Sequence, residues 1–73
     1  MPKLPRISGQ QCITALERLG FAQVRQRGSL VVMRSGDRGC VVPLHRELKT
    51  GTLRGLLKQG QVDQDEFVKA IRG

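Results

Sequence analysis

The sequence predicts a small α+β domain in two layers, with helices packed on one face of a three-stranded antiparallel sheet. Three observations lead there. Apolar residues recur at three- and four-residue spacing near both ends of the chain, as amphipathic helices require. Between them, short β-branched segments alternate with glycine-containing turns, the pattern of a strand meander. A chain of 73 residues supports one modest core, burying only about 60% of the surface its unfolded form exposes. Helices that share such a core with an antiparallel sheet gather on one side of it, leaving the other side to solvent.

Taken in order, Pro2 and Pro5 keep the start extended, because proline removes a donor and restricts its neighbour. A helix over residues 8–20 follows. The Ser8 hydroxyl caps its first turn, Gln11 completes a capping box, and Cys12, Ile13, Leu16 and Leu19 form one stripe. Gly20 is the natural stop. Residues 21–27 read as a half-buried strand, with Ala22, Val24 and Gln26 on one face and Gln23, Arg25 and Arg27 on the other. Gly28 and Ser29 form a turn into a second strand over 29–34, rich in β-branched residues. Residues 35–39 make a hairpin loop, and a third strand over 40–43 ends at Pro43. After a polar loop, a helix over 50–59 offers Leu53, Leu56 and Leu57. A last helix over 63–72, with an Asp63/Glu66 capping box, offers Phe67, Val68 and Ile71. Residues 1–73 thus form a single domain without repeats or linkers, and Leu16, Val32, Val42, Leu53 and Leu56 are its expected core.

Composition narrows the function. Thirteen Lys and Arg against six Asp and Glu give a net charge of +7, and eight of the basic residues fall within 25–58, where only Asp37 and Glu47 oppose them. Segregated positive charge of this kind is the footprint of a polyanion binder. Arg25, Arg27 and Arg34 flank the Gly28 turn and suit phosphate contacts. Gly51 and Thr52 open the 50–59 helix, where free backbone N–H groups either meet a phosphate or are capped locally. Lys49, Arg54 and Lys58 lie near one another on that helix. Trp and Tyr are absent and the two phenylalanines, Phe21 and Phe67, sit in core patterns. The chain therefore has no platform for stacking bases, and its binding should rest on phosphate and ribose contacts, with weak sequence preference and a steep salt dependence. A helix that follows a meander does not form a helix-turn-helix pair, which counts against DNA readout. No apolar run approaches the about 20 residues that span a bilayer, and the N-terminus has no signal-type apolar region, so a cytoplasmic location is expected. Cys12 and Cys40 read as buried thiols rather than a disulfide.

Several short motifs now fall into an ordered set: Leu19-Gly20-Phe21, Arg27-Gly28-Ser29, Gly36-Asp37, Val42-Pro43-Leu44-His45 and Lys49-Thr50-Gly51-Thr52-Leu53. At these spacings the chain resembles the HicA toxin family, small RNA-cleaving components of bacterial toxin–antitoxin pairs, over nearly its whole length. The resemblance implies a fold like the double-stranded-RNA-binding domain, α-β-β-β-α, and an mRNA endoribonuclease that needs no cofactor or metal. It implies messenger RNA and a HicB-type antitoxin as partners. In the family's chemistry a histidine directly after the Gly-Ser that opens the second strand takes the proton from a ribose 2′-hydroxyl, which then attacks the neighbouring phosphorus. An imidazole suits that task because it titrates near neutrality. Here that position is Leu30, which accepts no proton, so the chain is expected to be nearly inactive, whether by deliberate substitution or by drift. His45 matches the family's Val-Pro-x-His pattern and is the only other candidate for the proton-handling role. The rival reading is a non-catalytic RNA-binding or antitoxin-binding module.

Overall fold

The computed structural model describes residues 4–73; Pro2 lies outside the described residues. The chain runs α1 (Gly9–Arg18), β1 (Ala22–Arg27), β2 (Leu30–Ser35), β3 (Arg38–Pro43), α2 (Thr50–Gln59) and α3 (Gln64–Arg72). The strands form one antiparallel sheet in the order β1-β2-β3. This is the expected α+β class, and the expected order of a helix, three strands and two further helices. No helix of the described residues is long and apolar enough to cross a membrane.

Local chemistry accounts for the boundaries. The Ser8 hydroxyl accepts from the Gln11 N–H (3.1 Å) and the Ser8 N–H donates to Gln11 Oε1 (2.9 Å), so the capping box at α1 is complete. Gly20, at φ +96°, ends the helix in the left-handed region as a C′ residue does. At α3 the Asp63 carboxylate accepts from the Glu66 N–H (3.1 Å), but this cap is one-sided rather than the reciprocal box expected. The first hairpin turns at Gly28-Ser29 as expected, while the second is tighter than the expected 35–39 loop. Arg27 pairs with Leu30 and Ser35 with Arg38, so each loop has two residues, Gly28-Ser29 and Gly36-Asp37. A positive φ at the first loop residue alone, Gly28 and then Gly36, is the signature of a II′ turn, whose twist matches the flanking strands. Consequently β3 begins at Arg38 instead of residue 40.

One core holds the layers together. Val31 and Met33 of β2 and Cys40 and Val42 of β3 point to the helices and meet Ile13 and Leu16 of α1, Leu53 and Leu57 of α2, and Phe67 of α3. Val32 is a correction: it is only half-buried, while its neighbours Val31 and Met33 are closed off. Residues 30–33 are all apolar, so their pattern carries no parity, and the helices select the odd-numbered residues. The strand β1 is a second correction. All six of its residues are exposed, Val24 to 55%, because it is an edge strand beyond the helices' cover. A bulge at Val24 also changes its phase. Gln23 pairs with Met33 and Arg25 with Val32, so Val24 is the extra residue and the expected Ala22/Val24/Gln26 face does not exist.

Candidate functional site

The tight hairpin between β1 and β2 decides which arginines the open face of the sheet presents. Residues paired across strands share a face. Arg25 opposite Val32 and Arg27 opposite Leu30 therefore lie on the outer face, together with Arg34. The two-residue turn fixes this register, with Arg27 paired to Leu30 directly beside it, and the bulge at Val24 then brings Ala22 onto the same face. The stem of Arg34 lies across Gly39 of β3, where a Cβ would stand 3.4 Å from Arg34 Cγ. Val24, Arg25, Val32 and Arg34 line an open depression of about 410 Å³ on this face. Neither β1 nor β2 contains an acidic residue. The result is an apolar floor of Val32, Val41 and Leu30 edged by three arginines.

Leu30 begins β2 directly after the Gly28-Ser29 turn, between Arg27 on one strand and Pro43 on the other, and is 46% exposed. It is thus an accessible side chain on the arginine-bearing face rather than part of the core. The loop carrying His45 closes the same end of the sheet. The Leu44 N–H donates to the Ser29 carbonyl (2.7 Å), the Gly9 N–H to the His45 carbonyl (2.9 Å), and the Leu48 N–H to the Ile7 carbonyl (2.7 Å). His45 itself is exposed, and its backbone is fixed by the first turn of α1. This junction is the feature that sequence reasoning missed. Gly9 is buried, and a Cβ there would collide with the Pro43 carbonyl oxygen. The only signal was a glycine at the first helical position, where it had no obvious use.

The remaining basic residues divide into two groups. Lys49, Arg54 and Lys58 are exposed on α2, as are Gly51 and Thr52. Lys49 holds the N-cap position without a capping side chain, so the local-capping alternative for Gly51 and Thr52 does not hold, and the first intrahelical bond runs from the Leu53 N–H to the Lys49 carbonyl (2.9 Å). Arg38, counted in the basic stretch, serves the fold instead. Its guanidinium lies 5.2 Å from the centroid of the Phe21 ring and donates to the Gln61 carbonyl (3.4 Å). Arg18 likewise donates to the Ala70 carbonyl (2.7 Å), tying α1 to the end of α3. An open depression of about 650 Å³ lies there, lined by Arg18, Glu66 and Lys69 and away from Leu30 and the arginine face.

Cys12 and Cys40 are free and buried. Burial pushes the Cys12 thiol up to about 12, with the neighbouring Cys40 adding to the shift, and pushes the Cys40 thiol up to about 11. Neither thiol is poised for nucleophilic chemistry. Among the described residues, no three of His, Cys, Asp and Glu are grouped so as to hold a metal ion.

Compared with known proteins, the chain matches the family model described as the HicA toxin of bacterial toxin–antitoxin over residues 9–62. That span runs from the first residue of α1 to just past α2, and leaves α3 outside it. No curated protein and no solved structure matches.

Proposed function

The chain belongs to the HicA toxin family, and on that premise we propose that it is a toxin component whose basic sheet face binds messenger RNA and whose cleavage step is disabled at position 30. The observation that supports this reading is Leu30: accessible, directly after the Gly28-Ser29 turn, and flanked by Arg27 and Arg25. A base at that point would take the proton of a ribose 2′-hydroxyl while the arginines hold the adjacent phosphate. As the 2′-oxygen bonds to phosphorus, the bond to the 5′-oxygen breaks and that oxygen takes a proton from water, leaving a cyclic phosphate and a 5′-hydroxyl. Leucine has no lone pair for the proton, and loss of a positioned base costs about 10²–10⁴-fold in rate. Substrate binding is unaffected by that loss, since the phosphate contacts come from other residues. A HicB-type antitoxin would cover the face around β2 and α2 in the cytoplasm, where the RNA also resides.

A second reading, a binding module without chemistry, draws on the same residue: Leu30 extends the apolar floor of Val32 and Val41 and suits a docking surface. Expression of the chain and of its Leu30→His variant, with RNA integrity and growth followed, separates the two. We expect the wild-type chain to leave RNA intact and the variant to cleave it and arrest growth. A folded variant that does neither refutes the toxin reading in favour of the binding module. Cleavage by the wild-type chain, abolished by His45→Ala, would move the proton-handling role to His45.

A further inference from the structure

We infer that the free edge of β3 receives an added strand from a protein partner, an extended segment rich in Asp and Glu. The inference rests on the toxin reading above and specifies how the antitoxin grips the sheet. Ser35 and Arg38 pair directly across the second two-residue turn, and the ladder bonds alternate from there. Cys40 and Val42 bond to β2, while Gly39 and Val41 turn both N–H and C=O to the open side of the sheet. Among the described residues, nothing hydrogen-bonds to those outward groups. Donors and acceptors that alternate at strand spacing match the backbone of an extended peptide.

The two edges of the sheet differ. The bulge at Val24 breaks the register of β1, a device that discourages pairing along an edge. The register of β3 is unbroken from Arg38 to Pro43, where the missing proline N–H ends the open stretch. Beside that stretch lies an open depression of about 290 Å³, lined by Val32, Arg34, Gly39, Val41 and Gln59 of α2, with Asp37 at its turn end. Gly39 keeps this space clear, because a Cβ there would stand 3.4 Å from Arg34 Cγ. Paired residues share a face, so the partner residue opposite Gly39 directs its side chain to the outer face beside Arg34, where a carboxylate finds a cation. Seated there, the strand takes Arg34 from the RNA. A second copy of the chain would bring a charge of +7 against +7, whereas an acidic segment is steered in by the same field.

The test titrates the HicB-type antitoxin of the chain's own pair, by calorimetry, into the wild-type chain and into its Val41→Pro, Val41→Thr and Gln26→Pro variants. Proline at 41 removes an N–H that no ladder bond uses, so the fold survives, as circular dichroism checks. Threonine keeps both the N–H and the branched shape. Gln26 faces Val31 across β1, and its proline makes the same change at the other edge. We expect Val41→Pro to weaken binding at least about tenfold, through the lost bond and the intruding ring, and the other two variants to bind as the wild type does. In the wild-type complex, the Gly39 and Val41 amides should gain protection from hydrogen exchange while that of Gln26 does not. A folded Val41→Pro chain that binds as tightly as the wild type overturns the inference and leaves the toxin reading standing. So do Gly39 and Val41 amides that exchange as freely in the complex as outside it, a readout on the wild-type chain alone. Loss of binding in Gln26→Pro instead moves the partner to β1, and a wild-type dimer that Val41→Pro returns to monomer gives the β3 edge to a second copy; either overturns the inference. An antitoxin that does not bind the wild-type chain at all overturns the toxin reading itself.

Discussion

Replacing Gly9 by alanine tests whether the junction of α1 with the His45 loop is as tight as the structure has it. The added Cβ would overlap the Pro43 carbonyl oxygen and stand 2.9 Å from Leu44 Cα and 3.0 Å from the Pro43 carbonyl carbon. All three are backbone atoms, so no flexible side chain can swing away, and α1 and the 43–45 segment must separate. Overpacking of this kind costs about 1–3 kcal/mol. Separation also weakens the Gly9 N–H bond to the His45 carbonyl, worth about 0.5–1.5 kcal/mol. Against this stands the helical preference of alanine over glycine, at most about 1 kcal/mol. The net expectation is a loss of about 1–3 kcal/mol, with each kcal/mol lowering Tm by about 4–8 °C in a domain this size. Gly55→Ala is the control. Gly55 is exposed within α2 and a Cβ there meets nothing within 4 Å, so the same substitution should stabilise by about 0.5–1 kcal/mol. Urea and thermal unfolding of the two variants beside the parent give the answer. A Gly9→Ala protein as stable as the parent would refute the close approach and, with it, the claim that α1 fixes the His45 loop.

The parity of β2 predicts unequal costs from similar truncations. Leu53→Ala, at a fully buried site, should lose about 2–5 kcal/mol, whereas Val32→Ala, on the outer face, should lose under about 1 kcal/mol in urea titrations; equal losses would contradict the assigned faces. The thiols predict a pH dependence. Each is held neutral in the fold, with a pKa raised from 9.0 to about 12 for Cys12 and about 11 for Cys40. The unfolded chain therefore gives up these protons first, so their effect is nil below about pH 9, and stability falls as the pH rises from there toward 11. In the native protein at pH 8, a thiol-specific reagent should label neither cysteine until denaturant is added.

Much of this protein is fixed by its sequence alone, because the signals involved are local. A serine and a glutamine three residues apart cap α1, glycines open both two-residue turns, and leucines at helical spacing give α2 its buried face. Charge and the lack of exposed aromatics are equally local, and they point to a backbone-binding surface before any coordinates. The ordered motifs placed Leu30 after the Gly28-Ser29 turn, and that is where it stands. Three matters were settled only in the tertiary structure. The all-apolar run 30–33 has no intrinsic parity, so the helices had to choose Val31 and Met33 over Val32. The bulge at Val24 has no local signature, yet that one extra residue brings Ala22 onto the open face beside Arg25 and Arg27 and turns Gln23 to the helix side. Gly9 acquires its meaning only when Pro43, thirty-four positions away, arrives beside it. Each depends on which surfaces meet across the chain, and a pattern of near neighbours carries no record of that.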